Sequence, residues 1–184
     1  PVTLVLAKRD LQSDEAVAAF RAVYEAAGYP VLEVAALEGR GVEEVRALLA
    51  GRTTLFSGNS GVGKSTLVQA IDPSLDIRTG EISESHHKGR HTTTFSTMYP
   101  LSEGGAVIDT PGIKGFGLID IDDAELWHYF PEMMRVASGC RFYNCTHTHE
   151  PGCAVVEAVR SGEIALARYE SYLKMLDEDD KYRK

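Results

Sequence analysis

The chain has 184 residues, a formal net charge of −8, and apolar and charged fractions of 43% and 25%. This length and composition are typical of a globular protein with one or two domains. The acidic balance excludes a global attraction to nucleic acid, so any contact with RNA must use a local patch or a further segment. No apolar run approaches the ~18 residues of a membrane span, and no signal peptide is apparent, so we expect no membrane partner.

Strands and helices are predicted to alternate through the first part of the chain. Short apolar runs predict strands at residues 2–6 and 31–34, and helical periodicity predicts helices at residues 14–27 and 42–49. The first helix has a predicted buried face made of Val17, Phe20, Val23, Tyr24 and Ala27. This alternation is typical of an α/β fold with a doubly wound, mostly parallel sheet that binds ligands at the carboxyl ends of its strands.

The best-defined motif is a glycine-rich segment between a predicted strand at residues 53–57 and a predicted helix at residues 64–71. We call it the phosphate loop, and its residues match G-x-x-x-x-G-K-[ST]: Gly58, Asn59, Ser60, Gly61, Val62, Gly63, Lys64 and Ser65. Its glycines let successive backbone N–H groups turn around a phosphate oxygen. Lys64 is predicted to reach the β- and γ-phosphates and Ser65 to ligate Mg²⁺, with Thr66 beside it in the nucleotide site. The motif predicts a protein that binds a nucleoside triphosphate.

A second motif follows a predicted strand at residues 106–108. Asp109 stands where a carboxylate holds Mg²⁺, usually through water, and the N–H of Gly112 can meet the γ-phosphate. The segment Asp109-Thr110-Pro111-Gly112 is also typical of a simple turn, but its place after a phosphate loop favours the functional interpretation.

A threonine run, Thr92-Thr93-Thr94, lies between the two motifs and before a predicted strand at residues 95–99. A threonine in a switch segment can cap both Mg²⁺ and the γ-phosphate, and we assign this role to Thr93. The alternative is that the run is only a β-prone entry into the strand.

The residues after the first predicted strand, Ala7, Lys8, Arg9 and Asp10, form a candidate guanine segment. A carboxylate here can accept hydrogen bonds from N1–H and from the exocyclic amine of guanine, whereas adenine offers no such pair of donors. Charge-assisted bonds of this kind contribute ~1.5–3 kcal/mol each. Lys8 is predicted to lay its aliphatic stem along the base. The alternative is a charged surface loop without a ligand.

The order of these elements predicts a circular permutation, because the guanine segment precedes the phosphate loop. Such rearrangements are physically allowed since the termini of a domain often lie close together. A change of character near residue 118 divides the chain into a predicted permuted GTPase domain, residues 1–118, and a helical domain, residues 119–184. In this order, the segment from Asp109 to Gly112 leads almost directly into the helical domain, so a nucleotide-driven shift there is expected to pull on it.

The helical domain contains the spacing Cys140-x4-Cys145-x-His147-x5-Cys153, which includes all three cysteines of the chain. An odd cysteine number in so short a segment argues against a disulfide framework and for a metal in a reduced compartment. Three thiolates and one imidazole are a closed tetrahedral ligand set, so we expect one structural zinc ion. The alternative is three free thiols and a surface histidine. A further histidine, His149, lies nearby, but we do not expect it to be a ligand.

Two helices are predicted after these ligands, at residues 154–160 and 163–176. The second has an apolar stripe that we expect to be core packing: Leu166, Tyr169, Leu173 and Leu176.

The order of these motifs resembles that of the circularly permuted GTPases of the RsgA/YjeQ family. The motifs are the guanine segment, the phosphate loop, the run Gly89-Arg90-His91-Thr92-Thr93-Thr94, the Asp109 motif and the Cys3His cluster. The resemblance implies a bacterial cytoplasmic GTPase that acts late in maturation of the small (30S) ribosomal subunit and is stimulated by it. Its implied partners are GTP, GDP, the 30S subunit and rRNA, and we expect a monomer. Family members carry an upstream OB-fold domain, and the start at Pro1 suggests that this portion is missing here.

Three departures from common GTPase patterns bear on activity. Ala7 replaces the usual asparagine of the guanine segment and Ala35 replaces a frequent serine, so guanine affinity is expected to fall by ~1–3 kcal/mol in total. Ile113 stands where Ras-like enzymes place a water-orienting glutamine, so hydrolysis should be slow without help. His91 is our candidate catalytic group, the alternative being a histidine that faces RNA or water.

Two other functions compete with a slow GTPase that serves as an assembly switch. One is a nucleotide-dependent RNA- or ribosome-binding module with negligible hydrolysis, its pocket weakened by Ala7 and Ala35. The other is an ATP-dependent phosphotransferase, which the intact Asp10 disfavours. The segment of residues 86–91 is a local candidate for contact with rRNA or, alternatively, a solvated switch loop.

Overall fold

The computed structural model describes residues 1–75, 77, 97–109 and 121–182, with side chains described through residue 177. Its first elements are β1 (Leu4–Ala7), α1 (Asp14–Ala27), β2 (Val31–Val34), α2 (Val42–Leu49), β3 (Thr53–Phe56), α3 (Lys64–Ile71), β4 (Thr97–Pro100) and β5 (Ala106–Asp109). Three helices follow, α4 (Pro131–Val136), α5 (Ala154–Ser161) and α6 (Leu166–Tyr182). Short 3₁₀ helices lie at Arg9–Leu11, Ala36–Glu38, Leu126–Tyr129 and Ala137–Gly139. Within the described residues, no helix combines the length and apolarity needed to cross a membrane.

The strands confirm the α/β prediction and add a detail of topology. β3 pairs in parallel with β5, and β4 pairs antiparallel with the other edge of β5. The three-stranded sheet is therefore mixed, and β1 and β2 form a two-stranded sheet. In the parallel pair Phe56 lies opposite Asp109, so the carboxyl ends of β3 and β5 meet at one edge.

The chain divides into two compact units. The phosphate-loop unit comprises Thr3–Ser13 and Leu32–Gly115, and the helical unit comprises Pro1–Val2, Asp14–Val31 and Phe116–Lys184. Helix α1 thus groups with the C-terminal helices, although it lies between β1 and β2 in the chain. The predicted domain boundary at residue 118 falls outside the described residues and stays a prediction.

The phosphate-loop unit has one apolar core, in which Val68 and Val107 are fully buried. The buried residues of this core come mainly from α2, α3 and β5: Val34, Val42, Val45, Leu49, Leu67, Val68, Ile71, Ile77 and Val107. The Arg46 side chain of α2 donates from Nη2 and Nε to the backbone oxygen of Ile71, at 2.8 and 3.0 Å. These bonds satisfy a carbonyl at the end of α3, where the helix leaves its last oxygens without partners.

A buried carboxylate ties the end of α3 to the turn between β4 and β5. Asp72 accepts hydrogen bonds from the hydroxyl of Ser74 at 2.6 Å and from the backbone N–H of Ser102 at 2.7 Å. The Ser74 hydroxyl and then the Ser102 N–H lower the pKa of Asp72 from 3.8 to about 2. The ionised carboxylate therefore stabilises this connection between helix and sheet.

The helical unit has a second core, to which α1 is attached by two arginines. Arg135 of α4 donates to the backbone oxygens of Ala26 and Ala27, at 2.7 and 3.3 Å, and so caps the end of α1. Arg168 of α6 lies over the rings of Tyr24 and Tyr29, with its guanidinium carbon 5.6 and 5.7 Å from the ring centroids. The buried residues of this core are Leu126, Phe130, Met133, Cys145, Cys153, Val155, Ala158, Ile164 and Tyr172.

The predicted apolar face of α1 is confirmed, since all five of its residues are buried or half-buried. The prediction for the last helix was partly wrong. That helix begins at Leu166 rather than at residue 163, and Leu166 is 59% exposed. Residue Tyr172, which the predicted stripe omitted, is the fully buried side chain of this helix.

Candidate nucleotide and metal sites

The phosphate loop connects the end of β3 to the start of α3, as the motif predicts. Lys64 is the first residue of α3, and Gly63 caps the helix with a left-handed φ of 108°. Gly61 also has a positive φ, 76°. A side chain at either position would strain the backbone, which explains why the loop needs glycine there.

The ammonium group of Lys64 lies over the phosphate loop. Its Nζ donates to the backbone oxygens of Gly58 at 2.7 Å and Asn59 at 3.1 Å. A lysine has three N–H donors, so these bonds orient the group while leaving a donor for a ligand. Ser65 and Thr66 follow in the first turn of α3, half-buried at the positive end of the helix. Backbone N–H groups, helix dipole and ammonium charge together form an anion-binding arrangement.

Asp109 lies beside this loop, at the end of β5 and opposite Phe56. Its side chain is buried, and its Oδ1 has no hydrogen-bond partner among the described residues. Burial raises the pKa of Asp109, and the positive charge of Lys64 partly offsets that effect. A buried carboxylate oxygen without a partner carries a large desolvation penalty unless a cation approaches it, so the position fits a carboxylate that helps to hold Mg²⁺.

The guanine segment adjoins the phosphate loop. Lys8 has a left-handed backbone, with φ 56°, and its Nζ donates to the backbone oxygen of Gly61 at 2.8 Å. A Cβ built at Gly63 would lie 3.9 Å from Lys8 Cε and 4.0 Å from Ala7 Cβ. The 3₁₀ helix Arg9–Leu11 carries Asp10, whose exposed carboxylate accepts no hydrogen bond from the residues described. The structure therefore brings the segment predicted to bind the base to the loop predicted to bind the phosphates.

The remaining predicted nucleotide residues have mixed outcomes. Ala35 is fully buried, and its N–H donates to the Arg40 oxygen at 3.0 Å next to the 3₁₀ helix Ala36–Glu38. His91, Thr93 and Gly112 lie outside the described residues, as do Ile113 and the segment of residues 86–90. Their roles stay predictions.

The Cys3His cluster of the helical unit is assembled as predicted. The ligand atoms of Cys140, Cys145, His147 and Cys153 all lie within 4.8 Å of one another. Nδ1 of His147 is 3.6 Å from the Cys140 sulfur and 3.5 Å from the Cys153 sulfur, and these two sulfurs are 4.0 Å apart. Tetrahedral Zn–S and Zn–N bonds of ~2.3 and ~2.0 Å require separations of roughly 3.6 Å for S···N and roughly 3.8 Å for S···S. The cysteines are free rather than disulfide-bonded, so the geometry fits a metal ion.

Comparison with known proteins identifies the family. A family model described as RsgA GTPase matches residues 1–119. The chain belongs to the RsgA GTPase family. The chain is 53% identical to the small ribosomal subunit biogenesis GTPase RsgA of Porphyromonas gingivalis and 51% identical to RsgA 2 of Bacteroides thetaiotaomicron, with all of this chain aligned in both cases. It spans 60% and 61% of the length of these two relatives.

Solved structures support the fold of this RsgA-family chain. The crystal structure of YjeQ from Thermotoga maritima matches 96% of the chain with a TM-score of 0.76 and 39% identity, and the chain covers 59% of that structure. The crystal structure of YloQ, a circularly permuted GTPase, matches 99% of the chain with a TM-score of 0.74 and 29% identity, and the chain covers 57% of it. The predicted fold class, a circularly permuted GTPase fold followed by a helical part with a cluster that fits a zinc-binding site, is confirmed.

The residues that hold the metal ligands in place in this RsgA-family chain were not predicted from the sequence. The carboxylate of Glu150 accepts hydrogen bonds from Thr146 Oγ1 at 2.6 Å, from Thr146 N at 2.8 Å and from Thr148 N at 3.2 Å. Burial opposes ionisation of Glu150, but these bonds hold its pKa well below the ordinary value. The ionised side chain thus fixes the backbone on both sides of His147.

Two tyrosines of α6 hold the same loop from the other side. The hydroxyl of Tyr169 donates to the His147 oxygen at 2.8 Å, and the hydroxyl of Tyr172 donates to the Thr146 oxygen at 2.6 Å. The sequence contained a usable signal, because a tyrosine on a buried helix face normally needs a partner for its hydroxyl. The stripe assigned to core packing therefore also positions metal ligands.

Burial affects the protonation of the ligands themselves. It lowers the pKa of His147, which favours the neutral imidazole that binds metal, and the ring of Trp127 packs edge-on against that imidazole at 5.0 Å. Burial also raises the pKa of the Cys145 thiol to about 12. Metal ligation requires the thiolate, so binding must release a proton and will weaken as pH falls.

Proposed function

We propose that this chain provides the GTP-binding and GTP-hydrolysing part of a switch in late maturation of the small (30S) ribosomal subunit. GTP hydrolysis by the protein alone is slow, and the 30S subunit stimulates it. The observation that carries the proposal is the hydrogen bond from Lys8 to Gly61 in the phosphate loop, with Asp109 beside that loop. The names of the RsgA relatives, small ribosomal subunit biogenesis GTPases, support the biological role.

The phosphates bind at the N-terminal end of α3. Backbone N–H groups of the phosphate loop and the ammonium of Lys64 neutralise the β- and γ-phosphates, as in other phosphate-loop proteins. Ser65, Thr93 and Asp109 would hold Mg²⁺, and Gly112 would donate to the γ-phosphate. Mg²⁺ supplies charge neutralisation for the β- and γ-oxygens.

The base binds against the guanine segment. Asp10 accepts N1–H and the exocyclic amine, and Lys8 covers one face of the ring while its Nζ stays on the phosphate loop. Because adenine has no N1–H and no amine at C2, the loss of two charge-assisted hydrogen bonds at ~1.5–3 kcal/mol each selects GTP over ATP by orders of magnitude. Ala7 and Ala35 contribute no polar side chain, so we expect this affinity to be moderate.

Hydrolysis needs a group that orients or polarises the attacking water, and Ile113 cannot supply it. We assign this role to His91, which acts when the chain is bound to the subunit. GTP then favours subunit binding, and hydrolysis favours release, through the segments that contain Thr93 and Gly112. Residues 86–91 contribute a local contact to rRNA.

Cys140, Cys145, His147 and Cys153 would hold one zinc ion with a structural role. Four protein ligands would fill a tetrahedral shell and leave no position for a substrate. The ion would therefore stabilise the fold of this unit rather than take part in hydrolysis. The protein acts as a cytoplasmic monomer, and the domain boundary lies near residue 118.

Nucleotide affinities test the proposal directly. Competition against a fluorescent GDP analogue should show that wild-type protein binds GDP at least ~100-fold more tightly than ADP. Asp10→Ala should remove most of that preference while leaving the ADP affinity nearly unchanged, because ADP does not use the carboxylate. Equal GDP and ADP affinities in the wild type would contradict the guanine assignment.

A further inference from the structure

The turn that carries Asp10 is held by an ion pair to the neighbouring strand. Arg9 Nε donates to Glu33 Oε2 at 2.8 Å, and Arg9 Nη1 donates to the backbone oxygen of Gln12 at 3.0 Å. Glu33 is on β2, 24 residues further along the chain. The side chains are 15% and 29% exposed, so the pair is better shielded from water than a typical surface ion pair.

We propose that Arg9, through Glu33, is a positioning residue that fixes the guanine-binding orientation of Asp10. The inference rests on the proposed function, because it concerns how the same site selects its base. The prediction that Arg9 is part of the nucleotide site stays a prediction, and its guanidinium contacts Glu33 of β2 and the backbone oxygen of Gln12.

The geometry explains why Asp10 needs such support. Lys8 enters the turn with a left-handed φ of 56°, a conformation that a residue with a side chain adopts at some energetic cost. Two backbone hydrogen bonds close the turn, from Leu11 N to the Lys8 oxygen at 3.0 Å and from Gln12 N to the Arg9 oxygen at 3.2 Å. Asp10 accepts no hydrogen bond from described residues, so only the backbone of the turn places its carboxylate.

Arg9 therefore stabilises the turn by two contacts. Its Nε connects the turn to Glu33 of β2, and its Nη1 bonds the backbone oxygen of Gln12, where the turn ends. Bidentate recognition of guanine requires the two carboxylate oxygens to meet two donors together, so a tilt of the turn weakens both bonds. The ammonium of Lys64, which is proposed to contact the phosphates, is oriented by bonds within the phosphate loop and not by this pair.

The test compares the ratio of the ADP and GDP dissociation constants across a double-mutant cycle. Arg9→Ala should lower the ratio about fivefold, the effect of a partly buried ion pair, chiefly through weaker GDP binding. Glu33→Gln should lower it in the same direction, and the double variant should be no worse than Arg9→Ala alone. Arg21→Ala, which removes the Arg21–Glu25 pair of α1, is the matched control and should leave the ratio unchanged.

The outcomes separate this inference from the proposed function. A wild-type ratio near one would remove the guanine assignment and this inference with it. A high wild-type ratio that Arg9→Ala leaves intact would overturn the inference alone, and so would additive effects of the two substitutions. A general loss of structure would weaken GDP and ADP binding equally, leaving the ratio unchanged, and would likewise count against a positioning role.

Discussion

Replacing Tyr172 by phenylalanine tests whether α6 supports the metal ligands. The substitution keeps a ring that is fully buried and packs edge-on against Phe130 at a centroid distance of 5.5 Å. It removes only the hydroxyl that donates to the Thr146 oxygen at 2.6 Å. Loss of a hydrogen bond that leaves a shielded acceptor unpaired costs about 1–2 kcal/mol. We expect the free energy of unfolding of the helical unit to fall by this amount.

Trp127 makes the measurement specific, because it is the one tryptophan of the chain and its ring lies 5.0 Å from that of His147. Urea unfolding of the zinc-loaded protein, followed by tryptophan fluorescence at fixed free zinc, therefore reports on the helical unit. Tyr143→Phe is the matched control, since Tyr143 lies between the metal ligands Cys140 and Cys145 but is fully exposed. If Tyr172→Phe matched the wild type within about 0.3 kcal/mol, the bond would not support the metal ligands.

Four further predictions test other parts of the structure. Lys64→Ala should weaken GDP binding ~10–100-fold without changing the circular dichroism spectrum, because a charge-assisted contact to phosphate is lost; unchanged affinity in a GDP titration would contradict the site. Folding lowers the pKa of Asp72 from 3.8 to about 2, so the stability that its carboxylate contributes is complete above pH 3.8 and is lost as pH falls towards 2. Asp72→Asn should therefore reduce the acid sensitivity of the free energy of unfolding in urea. An unaltered pH profile would contradict this role of the carboxylate. Chelation of zinc should change the fluorescence of Trp127, and one equivalent of zinc should restore it. Fluorescence that does not respond to zinc would exclude the Cys3His cluster as the zinc-binding site. His91→Ala should lower subunit-stimulated turnover at least ~100-fold with GDP affinity preserved, and normal turnover would remove His91 as the catalytic group.

Local sequence signals predicted the parts of the fold that depend on neighbouring residues. Strand β2 and helices α2 and α3 lie at the predicted bounds, and the phosphate loop has the predicted place between β3 and α3. The glycine pattern was informative because Gly61 and Gly63 adopt positive φ values that other residues resist. The cysteine and histidine spacing similarly predicted a cluster that the structure brings together.

The contacts that the sequence did not reveal are long-range. Periodicity predicted that α1 has a buried face but not its partners: Arg168 lies over Tyr24 of that face, and Arg135 bonds the end of the helix, and both are more than a hundred residues away in the chain. The start of α6 was missed because the residues before it end α5 instead. Gly162 has a left-handed φ of 81°, and Ile164 N donates to the Ala158 oxygen at 3.1 Å. Such capping competes with helix formation in a way that apolar spacing alone does not show.

We propose that the permuted phosphate-loop unit hydrolyses GTP in response to the small ribosomal subunit. The most direct measurement is the GTP turnover rate across a titration of purified 30S subunits, with Lys64→Ala as the negative control. We expect slow turnover by the protein alone, which rises and saturates with subunit concentration, and no rise for Lys64→Ala. Turnover that stays at the basal level at saturating subunits would contradict the switch and favour a binding module with negligible hydrolysis.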